Sequence, residues 1–332
     1  MSKIPHCGAS VLHCDLPIRY DTYRGGCVFQ CSYCTEIIHG RFNPRPFESF
    51  KALQSFINGY RNEDTSWLSP ETRLTIHWGV LSDPFPPSDF QDRRSYKSLI
   101  VFAETGYPVV ITTKSPLVIH NEYLSLLSIS NALVQVSMTS KSFSEHYEPN
   151  APSYRDRFKM LYTLAHNVKR LVIRSQPFMV EFTDELIRMI PAYKASGVYA
   201  LLVGGISLRK PIMDISIRTG AGYTCPPDLL RPPLREIRDC CHSNGLVFLT
   251  NELECGDLSD STTCCGCEGL EGFKVNQCNL SYEFEKYVTP SMSMMGSAQC
   301  FRSGTRDSRF KERTYLDVLR QFNADGNDGL VK

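Results

Sequence analysis

The chain of 332 residues has no apolar run long enough to span a membrane. Its first ten residues, MSKIPHCGAS, lack the apolar core of a secretory signal, and the formal net charge of +1 provides no overall attraction to nucleic acid. We therefore expect a cytoplasmic protein with no membrane partner, in which any binding of nucleic acid is local. Apolar residues make up 42% of the chain, which suffices for a full hydrophobic core.

Cysteine is missing from residues 35–224, although the chain contains 14 cysteines. Five of them lie within the first 34 residues and nine follow residue 224. In a chain of this size without a secretory signal, such groups indicate metal ligation in a reducing compartment rather than disulfide bonding. We predict two metal-binding regions, one on each side of a cysteine-free scaffold.

Strand-like and helix-like segments alternate along this scaffold, which predicts βαβ units and a parallel sheet. Six or seven units joined by right-handed crossovers predict an α/β fold with a partial (β/α)6-7 barrel, followed by a cysteine-rich C-terminal extension. Functional residues are then expected just after the carboxyl ends of the strands. The strand-like segments are 74–80, 108–113, 132–138, 171–174, 199–203 and 246–249, and the helix-like segments are about 88–105, 122–127, 154–166, 184–196 and 228–243.

Cys27, Cys31 and Cys34 form the most informative motif of the chain. Their spacing, C-x3-C-x2-C, follows Gly25-Gly26 and places three thiolates on one short loop. Thiolates select iron–sulfur clusters, zinc or copper(I). Three ligands on a four-iron cluster leave one iron open, and an open coordination position is typical of a metal site that does chemistry. No His or Cys follows at the distance of a zinc finger, so we favour the cluster.

The three cysteines, with Tyr33 just before the last of them, resemble the signature of the radical S-adenosylmethionine (SAM) superfamily. Further segments resemble the branch of that superfamily that contains spore photoproduct lyase, over roughly residues 19 to 206. These segments are 20–25, 82–87, 112–115, 136–139 and 148–152 with Arg157. The resemblance implies an enzyme with a [4Fe-4S] cluster on three cysteines. It also implies SAM that is cleaved to a 5′-deoxyadenosyl radical, and an electron donor such as flavodoxin or ferredoxin.

The resemblance also implies which residues bind SAM. Lys114 and Ser137 match positions that contact SAM in this branch, and an ammonium and a hydroxyl suit its carboxylate and ribose hydroxyls. Arg174 ends an apolar strand, where a guanidinium can bind the SAM carboxylate. Tyr33 is expected near the adenine. The alternative for Lys114, Ser137 and Arg174 is a polar strand end that faces solvent or pairs with a local acid.

Two further residues are candidates for the chemistry itself. Asp83, at the expected mouth of the barrel, is predicted to bind substrate or position an acid, although the prolines around it fit a rigid turn equally well. Tyr23 is a candidate for quenching the final radical, with Cys225 as the alternative. Spore photoproduct lyases carry a hydrogen-donating cysteine just before the Ser-Asp pair, where this chain has Val80 and Leu81. The lyase reaction itself is therefore not assigned.

The cysteines near the C-terminal end predict a second, auxiliary iron–sulfur cluster. We select Cys255, Cys265, Cys267 and Cys278 as its ligands, with Cys264 as a replacement for Cys265. We expect this loop to open on the same face of the barrel as the first cluster. A structural zinc site that holds down a long loop is the alternative.

These inferences divide the chain into an N-terminal arm (1–18), a partial barrel (19–252) and a cysteine-rich extension with a C-terminal helix (253–332). The predicted function is abstraction of hydrogen from a nucleobase-type substrate, such as modified thymine in DNA or a nucleotide. Basic and aromatic residues between 301 and 315 fit nucleic acid, or else a solvated basic tail. The alternatives are radical modification of a peptide or small metabolite, and an iron–sulfur sensor that does not turn SAM over.

Overall fold

The computed structural model describes residues 16, 18–34, 43–59, 75–208, 217–219, 222–261 and 263–273. The arm before residue 16, Cys278, the basic and aromatic segment after residue 300 and the C-terminal helix lie outside the described residues. Among the described helices, none is both long and apolar enough to cross a bilayer.

A parallel sheet of seven strands forms the centre of the described chain, and each strand lies beside the one that precedes it in this sheet. The connections therefore all proceed in the same direction, as in a (β/α) barrel. The register aligns Ile76 with Val109 and Val109 with Ala132. These strands are β1 (Ile18–Tyr20), β2 (Ile76–Trp78), β3 (Val109–Thr113), β4 (Ala132–Ser137), β5 (Arg170–Phe178), β6 (Ala200–Gly205) and β7 (Val247–Thr250).

Eight α-helices accompany these strands in the described residues. They are α1 (Phe50–Gly59), α2 (Asp89–Asp92), α3 (Arg94–Thr105), α4 (Asn121–Ile129), α5 (Lys141–Tyr147), α6 (Tyr154–Ala165), α7 (Thr183–Ala195) and α8 (Pro227–Ser243). Short 3-10 helices cover Pro116–Ile119, Val180–Phe182 and Leu253–Leu258. Two small antiparallel sheets pair Tyr23–Arg24 with Arg45–Pro46, and Gly222–Thr224 with both Ile217–Thr219 and Ser207–Leu208.

The prediction of one continuous helix over 88–105 is wrong. Arg93 has a φ of 55° and separates α2 from α3. Its guanidinium lies 3.6 Å from the centre of the Tyr96 ring and pairs with Glu122. These contacts favour the left-handed backbone at a position where helical periodicity alone predicts continuation.

Alternate residues of the strands pack into two separate apolar clusters. Ile111, Val134 and Ile173 belong to the larger cluster, which includes side chains of the helices. Val110, Leu133, Val172, Leu202 and Leu249 belong to a smaller cluster on the opposite face, inside the barrel.

Residues 263–273, which we call the C-terminal plug, complete the smaller cluster. After β7 the chain turns through the 3-10 helix Leu253–Leu258 and runs back beside β7. There the Asp260 amide donates to the Phe248 carbonyl at 2.9 Å, and the Phe248 amide donates to the Asp260 carboxylate at 2.7 Å. Arg170, the first residue of β5, then donates to the carbonyls of Gly266 and Glu268 at 2.7 and 2.8 Å.

The plug therefore packs at the amino ends of the strands. The expectation that this loop opens on the same face as Cys27, Cys31 and Cys34 is wrong, because the chain reverses before Asp260 and runs back beside β7 towards its amino end.

Candidate active site

The loop that carries Cys27, Cys31 and Cys34, residues 25–34, is shaped by two glycines and two tight turns. Gly25 and Gly26 have φ of 86° and 102°. A Cβ on Gly25 would lie 2.1 Å from the Asn43 carbonyl oxygen, so this position requires glycine. The Gln30 amide donates to the Cys27 carbonyl at 3.0 Å and the Cys34 amide to the Cys31 carbonyl at 2.9 Å. We call this segment the cysteine loop.

One cavity of about 160 Å³ brings the cysteine loop together with the carboxyl ends of three neighbouring strands. Its polar side chains come from the loop after β2, from β3 and the residue after it, and from the end of β4, which is where the barrel prediction locates functional residues. The lining residues are Cys27, Phe29, Cys31, Tyr33, Cys34, Gly79, Val80, Leu81, Ser82, Asp83, Thr112, Thr113, Lys114 and Ser137.

The three thiols have the chemistry that a [4Fe-4S] cluster needs. Burial raises the pKa of Cys27 to about 12 and also raises that of Cys31. A bound metal reverses this effect because its charge favours the thiolate. No group of three His, Cys, Asp or Glu side chains in the described part of the chain could hold a single metal ion. A [4Fe-4S] cluster binds each cysteine thiolate to a different iron atom, and Cys27, Cys31 and Cys34 line one cavity, so these residues could hold such a cluster.

Lys114 and Ser137 form the cationic wall of this cavity. The Lys114 ammonium donates to the Ser137 hydroxyl at 2.9 Å and lies 3.6 Å from Glu148 Oε1. Burial opposes the charge of Lys114, but its neighbours Tyr33 and Glu148 outweigh burial and raise its pKa well above the ordinary value. An ammonium in this position can pair with an anionic ligand.

Glu148 and Arg157 belong to the same group of contacts, although sequence reasoning gave neither of them a role. The Tyr33 hydroxyl donates to Glu148, and Arg157 Nη2 lies 2.7 Å from Glu148 Oε2. Burial works against ionisation of Glu148, but the Lys114 and Arg157 charges hold the pKa of this carboxyl below its usual range. Their only sequence signal was their position within the motif 148–152 with Arg157.

Asp83 lines the cavity, but both of its carboxylate oxygens already accept hydrogen bonds. The donors are the Lys114 amide at 2.6 Å, the Phe85 amide at 2.9 Å and the Thr113 hydroxyl at 2.8 Å. Burial outweighs these hydrogen bonds and raises the pKa of Asp83. The carboxylate thus joins the loop after β2 to the end of β3, and its catalytic role stays a prediction.

Tyr23 lies outside this cavity and lines a second one of about 100 Å³, which shares Cys27, Ser82 and Asp83 with the first. The Tyr23 hydroxyl donates to the buried Asp89 at 2.5 Å, and Tyr123 donates to the same carboxylate at 2.8 Å. Burial and the contact with Asp89 raise the pKa of Tyr23. The quencher role of Tyr23 stays a prediction.

Arg174 is not brought together with Lys114 around the cavity. Its Cα pairs with that of Ser137, but its guanidinium donates to Gln135 at 3.1 Å and to Gln176. The same Gln135 accepts from Thr112 at 3.0 Å, and Thr112 also contacts His77 at 2.8 Å. Arg174 therefore belongs to a polar layer across the barrel interior.

The cysteines selected for an auxiliary cluster are separated by the sheet. Cys255 is fully buried in the larger apolar cluster, whereas Cys265 and Cys267 are buried in the smaller one. Cys278 lies outside the described residues. The Cys265 carbonyl accepts from the Gln135 side chain at 3.1 Å, so the plug contacts the lower side of the polar layer. The auxiliary cluster stays a prediction.

Comparison with known proteins supports the fold. No protein-family model and no curated protein matches the chain, but solved structures do. A spore photoproduct lyase double mutant with bound AdoMet and dinucleoside spore photoproduct is 14% identical, with a TM-score of 0.56 over 76% of this chain and 79% of that one. A second spore photoproduct lyase structure, complexed with dinucleoside spore photoproduct, gives a TM-score of 0.53 at 14% identity over 69% and 74% of the two chains.

SuiB from Streptococcus suis, bound to S-adenosylmethionine, is 15% identical, with a TM-score of 0.50 over 71% of this chain and 51% of SuiB. At these identities the likeness concerns the fold alone. The chain shares the partial-barrel fold of these enzymes, which confirms the predicted fold class and agrees with the resemblance seen in its sequence.

Proposed function

We propose that the chain is a radical SAM enzyme in which Cys27, Cys31 and Cys34 hold a [4Fe-4S] cluster and Lys114 and Ser137 bind SAM. The observation that carries this proposal is that all five residues line one cavity at the carboxyl ends of parallel strands. When bound, the cluster and SAM supply a 5′-deoxyadenosyl radical that abstracts hydrogen from the substrate.

The residues of the chain have separate tasks in this proposal. The Lys114 ammonium pairs with the SAM carboxylate, and the Ser137 hydroxyl holds Lys114 or a ribose hydroxyl. Tyr33, on the cysteine loop, lies beside the adenine. Val80 and Leu81 give the cavity an apolar wall that limits water near a reactive radical.

We propose a nucleobase-type substrate, either a modified thymine in DNA or a nucleotide. The fold likeness to spore photoproduct lyases that hold a dinucleoside spore photoproduct supports this class. The reaction is expected to differ from that of the lyase, because the cavity presents Val80 and Leu81 where those enzymes carry a hydrogen-donating cysteine. Among the residues that line this cavity, the three cysteines are the proposed cluster ligands, and no further cysteine is present to donate hydrogen.

The domain division at residues 18 and 252, a flavodoxin-like or ferredoxin-like electron donor and the auxiliary cluster are part of this proposal. Cys265 and Cys267 would have to supply the auxiliary cluster from the plug. Counts of iron, sulfide and zinc on reconstituted protein test the auxiliary cluster. Four irons per chain together with bound zinc contradict it.

The test of the function is anaerobic incubation of reconstituted protein with SAM and dithionite, followed by measurement of 5′-deoxyadenosine. We expect formation that rises with irradiated DNA or thymidine dinucleotides. It should be abolished by replacing Cys27, Cys31 and Cys34 with alanine, but not by Cys240→Ala in α8. A response to peptides alone favours a peptide-modifying enzyme. No 5′-deoxyadenosine under any condition favours a sensor, and protein that stays free of iron after reconstitution overturns the proposal.

A further inference from the structure

Glu148 is a charged residue that the fold buries almost completely, since only 3% of its surface is exposed. It directly follows α5 and lies behind the cavity rather than in its lining. Burying a carboxylate is costly unless cations and hydrogen-bond donors surround it. The partners of Glu148 therefore indicate which parts of the structure this carboxylate connects.

The first set of partners comes from the cysteine loop. The Ser32 amide and hydroxyl donate to the Tyr147 carbonyl at 2.9 and 3.2 Å, and the Tyr33 hydroxyl donates to Glu148 itself. Residues 147 and 148 thus bind the part of the loop that lies between Cys31 and Cys34. The separation in sequence is 115 residues, so these contacts fix the loop to the barrel over a long range.

The second set of partners forms a closed circuit at the strand ends. Glu148 lies 3.6 Å from the Lys114 ammonium and 2.7 Å from Arg157. Arg157, only 1% exposed, donates to the Ser137 carbonyl at 3.0 Å. The Ser137 hydroxyl in turn accepts from Lys114 at 2.9 Å. Within this circuit two cations share the Glu148 carboxylate, and Lys114 is the cation that lines the cavity.

We infer that Glu148, held by Arg157, is a positioning residue that fixes Lys114 and Tyr33 to each other. It thereby sets the distance between the cysteine loop and the site for the SAM carboxylate. The inference rests on the proposed function, and it assigns Glu148 no contact with SAM or cluster. A buried ion pair that serves folding alone is the competing explanation.

Variants of the two charges separate these explanations. Glu148→Gln removes the charge and retains the shape, and Glu148→Gln combined with Arg157→Met removes both charges. Tyr193→Phe is the matched control for lost stability, because its hydroxyl bonds that of Tyr154 at 2.8 Å in a buried site that does not line the cavity. The readouts are iron per chain, SAM affinity by equilibrium dialysis, the EPR spectrum of the reduced protein with and without SAM, and the urea midpoint.

We expect Glu148→Gln to keep most of its iron but to bind SAM about 10-fold to 100-fold more weakly, as for other residues that orient a ligand-binding group. The change that SAM causes in the EPR spectrum should be lost with it. The double variant should recover stability while SAM affinity stays low. Tyr193→Phe should lower the urea midpoint and leave SAM affinity unchanged.

Two results overturn this inference alone: Glu148→Gln that binds SAM as the wild type does, and a double variant that regains SAM affinity together with stability. Both would show that the pair serves folding only. A wild-type protein that binds no iron or no SAM contradicts the proposed function first and this inference with it, so the two failures are told apart by the wild type.

Discussion

The two described groups of cysteines lie at opposite ends of the same barrel and in different surroundings. Cys27, Cys31 and Cys34 line a cavity at the carboxyl ends of the strands, beside the Lys114 ammonium. Cys265 and Cys267 are 4% and 1% exposed and pack against apolar side chains at the amino ends. Residues of one type therefore lie in two different environments: an open cavity with a cation suits ligand chemistry, whereas an apolar cluster suits packing.

The largest effect is expected from replacing one cysteine in each group. Cys31→Ala removes a proposed cluster ligand and should lower iron affinity by roughly 10-fold to 100-fold or more. Cys267→Ala should lower stability and leave the iron held by the cysteine loop unchanged. Iron and labile sulfide after anaerobic reconstitution measure both. An equal loss of iron in the two variants would break the comparison and favour a second cluster.

The next effect concerns the two cations predicted to bind SAM. Lys114→Met removes the charged side chain that lines the cavity and should weaken SAM binding about 10-fold to 100-fold, the usual value for a hydrogen bond with a charged partner. Arg174→Met should change SAM affinity much less, because its guanidinium is bonded to Gln135 and Gln176 in the barrel interior. Equilibrium dialysis decides the matter, and a larger loss for Arg174→Met would contradict the assignment.

A smaller effect is expected on stability, from a substitution in the C-terminal plug. Gly266 in the plug has a φ of 78°, and a Cβ there would lie 2.9 Å from the Val172 side chain. Gly266→Ala should therefore cost about 1–3 kcal/mol of unfolding free energy, measured by urea titration, with iron content unchanged. Gly269→Ala is the matched control, since Gly269 lies in the same plug with a φ of 68° and a Cβ there meets nothing within 4 Å. Equal stability of the two variants would contradict the packing of the plug.

The smallest effect tests Tyr23. Tyr23→Phe removes the hydrogen bond to Asp89 and should cost about 1 kcal/mol of stability, measured by urea unfolding. A variant of full stability that accumulates an unquenched substrate radical would instead support the predicted quencher role of Tyr23.

Most of the fold was predictable because buried parallel strands are short apolar runs between helical segments. Val109–Thr113 and Ala132–Ser137 are such runs, and the structure has strands there. β1 was not predicted, because its three residues, Ile18–Tyr20, carry too little periodicity. The helix break at Arg93 depends on contacts with Tyr96 and Glu122, and helical spacing contains no sign of them.

The site divides in the same way. The local spacing predicts Cys27, Cys31 and Cys34 as a group, and the family resemblance together with two strand ends adds Lys114 and Ser137. The structure brings these five residues to one cavity. Glu148 was not, because its significance comes from Tyr33 at a separation of 115 residues. Similarly, the location of Cys265 depends on the chain reversal before Asp260. The number and spacing of the cysteines do not predict this reversal.

The polar layer beneath the cavity also affects how the protein responds to acid. Burial, together with Arg174 and Arg19, lowers the pKa of His77 well below 6.5. The folded protein therefore keeps this imidazole neutral, whereas the unfolded chain protonates it near the ordinary value of about 6.5. Acidification below that value then favours the unfolded chain, so the barrel is expected to lose stability between neutral pH and pH 5. The His77→Gln variant should lose less stability over the same pH range, measured by urea unfolding. That result would identify the His77 imidazole as the origin of the acid sensitivity.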